Sequence, residues 1–258
     1  MEGRNLDDVP FVVLDFETTG LDPEAGDRIC ELGAMKLKGG RKGEVFWRLV
    51  DPGRPISQGA FSVHHITPGM LKGAPSMEEV LPEFLRFLGD DVIVAYNASF
   101  EMKFLGSELD RAGLPPPSNL VVDVLSLARR LLPGLGSYGL GRVARRLGVE
   151  HTNVHRAMGD VSATAGVFLL LLDMVRGRGI NTLGQLLGFL EPPEIRDEVS
   201  KALSTGRRLW LRYRSEGRVT EREVSPIRLE GGYLVAFCHL RNEERSFRLD
   251  RILELRVL

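Results

Sequence analysis

The alternation of hydrophobic and polar positions changes character partway along the chain. After a polar start, strands are predicted over residues 10–16, a nearly continuous apolar run, 29–38 and 43–50, with Gly39, Gly40 and Gly43 marking the turn between the last two. Apolar positions then recur at helical spacing in "SMEEVLPEFLRFLG" (76–89), which opens on Ser76 as a cap and stops at Gly89. "DVIVAY" (91–96) reads as a short buried strand, Asn97 as the cap of a helix reaching about Gly113, and "PPPS" (115–118) as a break before the strand "LVVD" (120–123). Helices follow over 124–132, 137–147 and, through the stripe "VFLLLLDMV", about 156–176. Strands succeeded by alternating helix and strand describe an α/β domain with a mixed central sheet flanked by helices.

"RGRGINT" (176–182) reads as a linker, and 183–204 as a helical connector interrupted at "EPPE". From Arg208 onward the pattern changes to alternation in "LWLRYR", "REVSPIRL", "YLVAFCHL" and "RSFRLDRI". Four short strands with tight polar turns predict a small all-β, barrel-like module. The expected division is therefore a domain over 1–178, a helical connector over 179–204 and a β module over 205–258.

Composition adds little until charge is mapped. The 258 residues are 43% hydrophobic and 27% charged, as in an ordinary globular protein with a sizeable core. No apolar run approaches the ~20 residues that span a bilayer, and "MEGRNLDDVP" lacks the basic and apolar regions of a signal peptide. Cys30 and Cys238 lie far apart in apolar surroundings, so buried free thiols and a cytoplasmic protein without a membrane partner are expected. Net charge is −1, but residues 206–258 hold twelve Arg and no Lys against eight Asp and Glu, leaving the remainder at −5. A basic end on an acidic body fits a nucleic-acid partner or a solvated basic surface.

The candidate chemistry begins in "FVVLDFETTG". In a strand, residues two apart share a face, so Asp15 and Glu17 project together. Two adjacent carboxylates repel, and one protonates unless a cation lies between them. A divalent ion such as Mg²⁺ or Mn²⁺, which prefers hard oxygen ligands, answers that need. An exposed strand end is the better answer while only these two residues are considered. Two further acidic positions sit in comparable settings: Glu101 in the first turn of the helix after "VIVAYNASF", and Asp160 near the start of the last long helix, with His155 five residues earlier on the preceding loop.

The set Asp15-x-Glu17, "NASFE", and His155 five residues before Asp160 resembles the DEDDh 3′→5′ exonucleases, an RNase H-like family. "FSVHHIT" and "SYGLGRVARRLGV" fall between them in family order, and the resemblance covers about residues 10–175. It implies a fold with an RNase H-like mixed sheet and two Mg²⁺ or Mn²⁺ ions that clamp the attacking and leaving oxygens of a phosphodiester. By the same resemblance Asp15 bridges both ions, Glu17 and Asp160 hold the first, and Glu101 supports the second through water. His155 takes the proton from the attacking water, its ordinary pKa near 6.5 suiting a base. Thr18 and His64 touch the terminal nucleotide, and 5′-mononucleotides leave the 3′ end of DNA or RNA, DNA favoured. The chain departs from the family in having Glu101 where the third carboxylate is normally Asp, one methylene longer. Gly59 stands where one member of the family, the proofreading subunit of bacterial replicative polymerase, has an acidic substrate contact. His151 has no counterpart and reads as loop surface, Asn97 as a helix cap, and Phe100 with Phe104 as core.

The C-terminal segment resembles a WYL domain, a small SH3-like barrel associated with nucleic acids or nucleotide-like ligands. Gly232 precedes Tyr233 where the family has its Trp. Arg245, Arg248 and Arg251 are the candidate phosphate contacts, because guanidinium forks match phosphate oxygens. On one unbroken strand Arg248 would point away from the other two. A metal-dependent exonuclease is thus expected. A binding or regulatory protein acting through the β module, and a phosphodiesterase of short oligonucleotides, are the alternatives.

Overall fold

A computed structural model describes residues 1–190, 193–215, 218–230 and 233–258. The chain divides into two compact units, one of Asn5–Gly179 and one of Ile180–Leu258 with Met1–Arg4.

The first unit is built on β1 (Phe11–Thr18), β2 (Ile29–Lys38), β3 (Arg41–Leu49), β4 (Val92–Ala95) and β5 (Val121–Asp123), ordered β3-β2-β1-β4-β5. β1 and β2, and β2 and β3, pair antiparallel, whereas β4 lies parallel to β1 and β5 parallel to β4. This is the expected mixed sheet flanked by helices, an RNase H-like arrangement. Around it run α1 (Gln58–His64), α2 (Pro68–Leu71), α3 (Met77–Leu88), α4 (Ala98–Arg111), α5 (Val124–Leu131), α6 (Leu140–Leu147) and α7 (Ala157–Arg176). The capping box of α3 forms as "SMEE" suggests, with Ser76 accepting from the Glu79 N–H and Glu79 from the Ser76 N–H.

Several boundaries differ from expectation for identifiable reasons. Gly43 lies inside β3, so the turn is Gly39–Gly40 alone. Around His64, where no element was predicted, the chain forms α1 and α2, short helices capped by Ser57 and Thr67. Asn97 occupies the N-cap position of α4 with φ 64° and makes no side-chain cap. Asp123, at the end of the neighbouring β5, accepts the Ala98 N–H instead (3.1 Å). α7 is, by length and composition alone, long and apolar enough to cross a membrane, although no such run was expected. It is the core helix of this unit, lying on β1 and β2, with Phe168 edge-on to Phe11 at 5.1 Å. Phe104 is fully buried with Phe100 against it, as expected of core.

The second unit has α8 (Leu183–Leu190), α9 (Pro193–Thr205), β6 (Leu209–Ser215), β7 (Arg218–Glu230), β8 (Tyr233–Cys238), β9 (Glu243–Arg248) and β10 (Ile252–Val257). The break expected at "EPPE" starts at residues 191–192, outside the described residues, as does Gly232. Five strands form one antiparallel sheet, ordered β10-β6-β7-β8-β9. "RSFRLDRI", expected as one strand, divides at a 3₁₀ turn over Leu249–Arg251 into β9 and β10, which then pair on opposite sides. The pairings among the described residues give an all-β sheet and do not close it. Val199 and Ala202 of α9 join Leu209, Leu211, Val224, Leu234 and Phe247 in its core, so the connector helix packs as part of this unit. Cys30 and Cys238 are both free and buried.

Candidate active site and metal centre

Asp15 and Glu17 stand on the central strand β1, opposite Gly33 and Glu31 of β2. Gly33 decides what lies above them. A Cβ there would come within 2.9 Å of the Ala157 carbonyl carbon, so only glycine lets the first turn of α7 press onto the sheet. That turn brings Asp160 over the strand end. Asp15, Glu17 and Asp160 each then offer an oxygen, all within 4.8 Å of one another. Three carboxylates from two remote segments have converged.

Their electrostatics follow from crowding. Burial, then repulsion from Glu101, Asp160, Glu17 and Glu31, pushes the Asp15 carboxyl well above the ordinary carboxylate range. Burial, Asp160 and Glu31 push Glu17 up to about 8, with Arg156 pulling weakly the other way. Left to the chain alone, this cluster holds protons at neutral pH. A divalent cation replaces those protons with a stronger partner, and the donor set of hard oxygens suits one.

Glu101 lies beside the cluster at the start of α4 and is 4% exposed. Its Oε2 accepts the Phe16 N–H at 3.1 Å, so the longer side chain is turned partly onto the backbone of β1. Burial and then Glu17 nonetheless hold its carboxyl well above the usual range. The His155 N–H donates to Asp160 Oδ1 (3.2 Å), while the residue is exposed and has φ 59°, a left-handed conformation unusual for a side chain of this size. Thr18 is buried and donates to the Gly20 carbonyl. His64 is also buried, and both its ring nitrogens meet backbone. Nδ1 accepts the Ile66 N–H (3.0 Å), which leaves Nε2–H to donate to the Thr18 carbonyl (3.2 Å). It ties α1 to the last residue of β1, just after Asp15 and Glu17.

Three residues escaped sequence reasoning. His151, read as loop surface, places Nε2 2.6 Å from Asp160 Oδ1 and is only 10% exposed at its side chain, a correction to that reading. Glu31 is 1% exposed and forms a forked pair with Arg156, with Nε to Oε2 at 3.0 Å and an Nη to Oε1 at 2.8 Å. Trp47 Nε1–H and the Ala157 N–H donate to Glu31 as well (2.7 and 3.1 Å). These bonds and the guanidinium charge together outweigh its desolvation and hold its carboxyl below the ordinary value. The available signal was Glu31 itself, an acid amid the apolar run "RICELGAM", together with the Arg that follows His155.

In the C-terminal unit the three arginines differ in setting. Arg245 is exposed on β9 beside Glu243, Arg248 is 8% exposed at the strand's end, and Arg251 lies in the 3₁₀ turn.

Residues 12–168 match the exonuclease family that includes RNase T, and residues 194–257 match the WYL domain. With the carboxylate cluster, these matches define the class: the chain belongs to the exonuclease family, of the DEDDh type, and carries a WYL domain. More particularly, it is 43% identical over 179 residues to the PolC-type DNA polymerase III of Thermotoga maritima, and 41% over 178 to that of Staphylococcus epidermidis. Each alignment covers 69% of this chain but only 13% and 12% of the relative, so the chain spans about an eighth of those proteins' length. Among solved structures, exonuclease X in complex with 5′-overhanging duplex DNA is 29% identical, with a TM-score of 0.51 over 63% of this chain and 91% of that one. Exonuclease I of E. coli with a dT13 oligonucleotide is 18% identical, with a TM-score of 0.59 over 89% of this chain and 55% of that one, a likeness of fold.

Proposed function

We propose that this chain is a divalent-metal-dependent 3′→5′ exonuclease that releases 5′-mononucleotides from the 3′ end of a nucleic acid, DNA being favoured. The observation that carries the reading is the meeting of Asp15, Glu17 and Asp160 oxygens within 4.8 Å, where the carboxyls of Asp15 and Glu17 are pushed upward. Asp15, Glu17 and Asp160 hold the metal, with Glu101 contributing through water. Two Mg²⁺ or Mn²⁺ ions, when bound, supply Lewis-acid stabilisation of the phosphoryl oxygens and a more acidic water. His155 accepts the proton of the attacking water at its imidazole, and its backbone bond to Asp160 keeps it at the cluster. Thr18 and His64 shape the floor under the terminal nucleotide.

The PolC-type relatives and the DNA bound to exonuclease X support DNA as substrate. Two buried free thiols support a reducing, cytoplasmic setting. The division of labour follows the boundaries 1–178, 179–204 and 205–258, and the C-terminal sheet curls into an SH3-like barrel that holds nucleic acid or a nucleotide-like ligand. Arg245, Arg248 and Arg251 contact that ligand's phosphates from separate positions around β9 and the turn after it. The test is mononucleotide release from a 3′-tailed oligonucleotide with Mg²⁺ or Mn²⁺. Asp15→Ala is expected to lower it roughly a thousandfold, and equal release by both proteins overturns the reading.

One observation favours a second reading. Glu101 spends one oxygen on the Phe16 N–H, which weakens its hold on a second ion. A catalytically weak nucleic-acid-binding protein acting through the WYL domain would bind oligonucleotides without metal and release no mononucleotide.

A further inference from the structure

The unit from Asn5 to Gly179 carries 22 acidic and 19 basic residues. Its charge is not evenly spread. Between Asp123 and Glu150 the chain has five arginines and no acidic residue at all. Arg142, Arg145 and Arg146 lie at i, i+3 and i+4 on α6, the spacing of one helix face, and all three are exposed. The opposite side of α6 is buried through Val143 and Ala144. Arg129, near the end of α5, is exposed too. These four make no ion pair among the described residues, whereas Arg28, Arg48, Arg156 and Arg176 of the same unit each hold a carboxylate. Exposed arginines bracketed by carboxylates are ordinary solvated surface. A helix face of arginines with no counter-charge keeps its full field for an outside anion.

Its placement gives that field a use. The first turn of α6 adjoins the metal centre: a Cβ built on Gly141 would lie 3.5 Å from His151 Nδ1, and the Nε2 of that ring is 2.6 Å from Asp160. The loop before α6 is tied to the rim of the sheet, because Tyr96, just after β4, donates its hydroxyl to the Tyr138 carbonyl. Tyr138 in turn donates to the Leu132 carbonyl (2.7 Å). The arginine face therefore starts beside the carboxylates and runs away from them along a helix.

We infer that Arg142, Arg145 and Arg146 on α6, with Arg129, form a track for the phosphodiester backbone of the strand whose 3′ end occupies the carboxylate centre. This rests on the exonuclease reading and extends it. The track binds the strand upstream of the scissile bond, through charge and without regard to base sequence. Affinity should accordingly grow with strand length until the track is filled.

The test uses the full chain and a triple variant, Arg142→Gln with Arg145→Gln and Arg146→Gln, and a matching triple Lys variant. The three sites are exposed, and thermal melting checks that each variant is folded. Fluorescence anisotropy of a 5′-fluorescein-labelled twenty-residue oligothymidylate is followed in EDTA over a series of KCl concentrations. The Gln variant should bind at least about tenfold more weakly at low salt. Its plot of log affinity against log salt should be shallower by about two, at ~0.7 for each phosphate that the variant no longer neutralises. The Lys variant should recover most of both. With Mg²⁺, the fall in KM from dinucleotide to twenty-residue substrate should shrink about tenfold in the Gln variant. Unchanged affinity and slope overturn the inference and leave the face to an acidic protein or to solvent. A wild-type chain that degrades none of the substrates ends the exonuclease reading, and the EDTA titration then still decides whether the track binds a strand.

Discussion

Glu17 and Glu31 face each other across one rung of the β1–β2 ladder, and the protein treats them in opposite ways. Both are buried. Glu31 receives a forked guanidinium, an indole N–H and a backbone N–H, and its carboxyl sits below the ordinary value. Glu17 has Asp160 and Asp15 as neighbours, and burial, then Asp160 and Glu31, raises its carboxyl to about 8. A structural carboxylate is neutralised by the chain itself. One that the chain leaves unpaired needs something outside the chain to neutralise it, and that unmet need is what marks the rim of β1 as a candidate metal centre.

Breaking the satisfied side should cost the most stability. Glu31→Gln replaces a nearly dry carboxylate by a neutral partner while Arg156, a third exposed, stays solvated, an effect of about 1.5–3 kcal/mol. In a unit of this size that is on the order of 10 °C in Tm, read by calorimetry. Because the folded-state carboxyl of Glu31 is held below its ordinary value, its contribution is complete above about 4.5 and fades as pH falls through the lower, folded value. The wild type should thus lose Tm in that acid window by an increment that the variant lacks. Parallel acid profiles would show that Glu31 is no more favoured than Glu17.

The link between the two sides is finer. His151 grips Asp160 at 2.6 Å, and partners that orient a metal-ligating carboxylate are worth about tenfold or more in metal affinity. His151→Ala should weaken Mn²⁺ binding, measured by calorimetric titration, by roughly that factor while leaving the melting temperature in EDTA nearly unchanged. A large drop in that melting temperature would make His151 structural.

The smallest effect has the opposite sign to that of Glu31. With its folded-state carboxyl raised to about 8, Glu17 favours the fold below its ordinary 4.5, and that benefit is lost as pH rises through 8. In EDTA at pH 9, Glu17→Gln should therefore melt a few degrees higher than wild type, the scale of about 1–2 kcal/mol. Added Mn²⁺ should reverse the order. A variant that melts lower in EDTA would mean that Glu17 is already neutralised by the protein.

Much of this was legible in the chain. The five strands and most helices of the first unit follow from apolar periodicity, and Ser76 with Glu79 announces its capping box. Asp15 and Glu17 declare themselves by standing two apart at the end of an apolar strand. Asn97 illustrates a limit. Its residue type suits a cap, but its left-handed backbone turns the side chain away from that role and Asp123, 25 residues later in sequence relative to Ala98, fills it. The 3₁₀ turn at Leu249–Arg251 is another, since the alternation of "RSFRLDRI" continues across a corner that only the sheet order requires.

The sequence by itself determined the alternation, the caps and the inventory of acids, because each depends on residues within a turn or two of one another. Only the tertiary structure decided which charges meet. Arg156 is 125 positions from Glu31, and Asp160 reaches Asp15 because Gly33 admits the first turn of α7. Those encounters depend on the distance between packed elements, a quantity with no period along the chain. At a few ångströms it settles whether a buried carboxylate meets an arginine or other carboxylates.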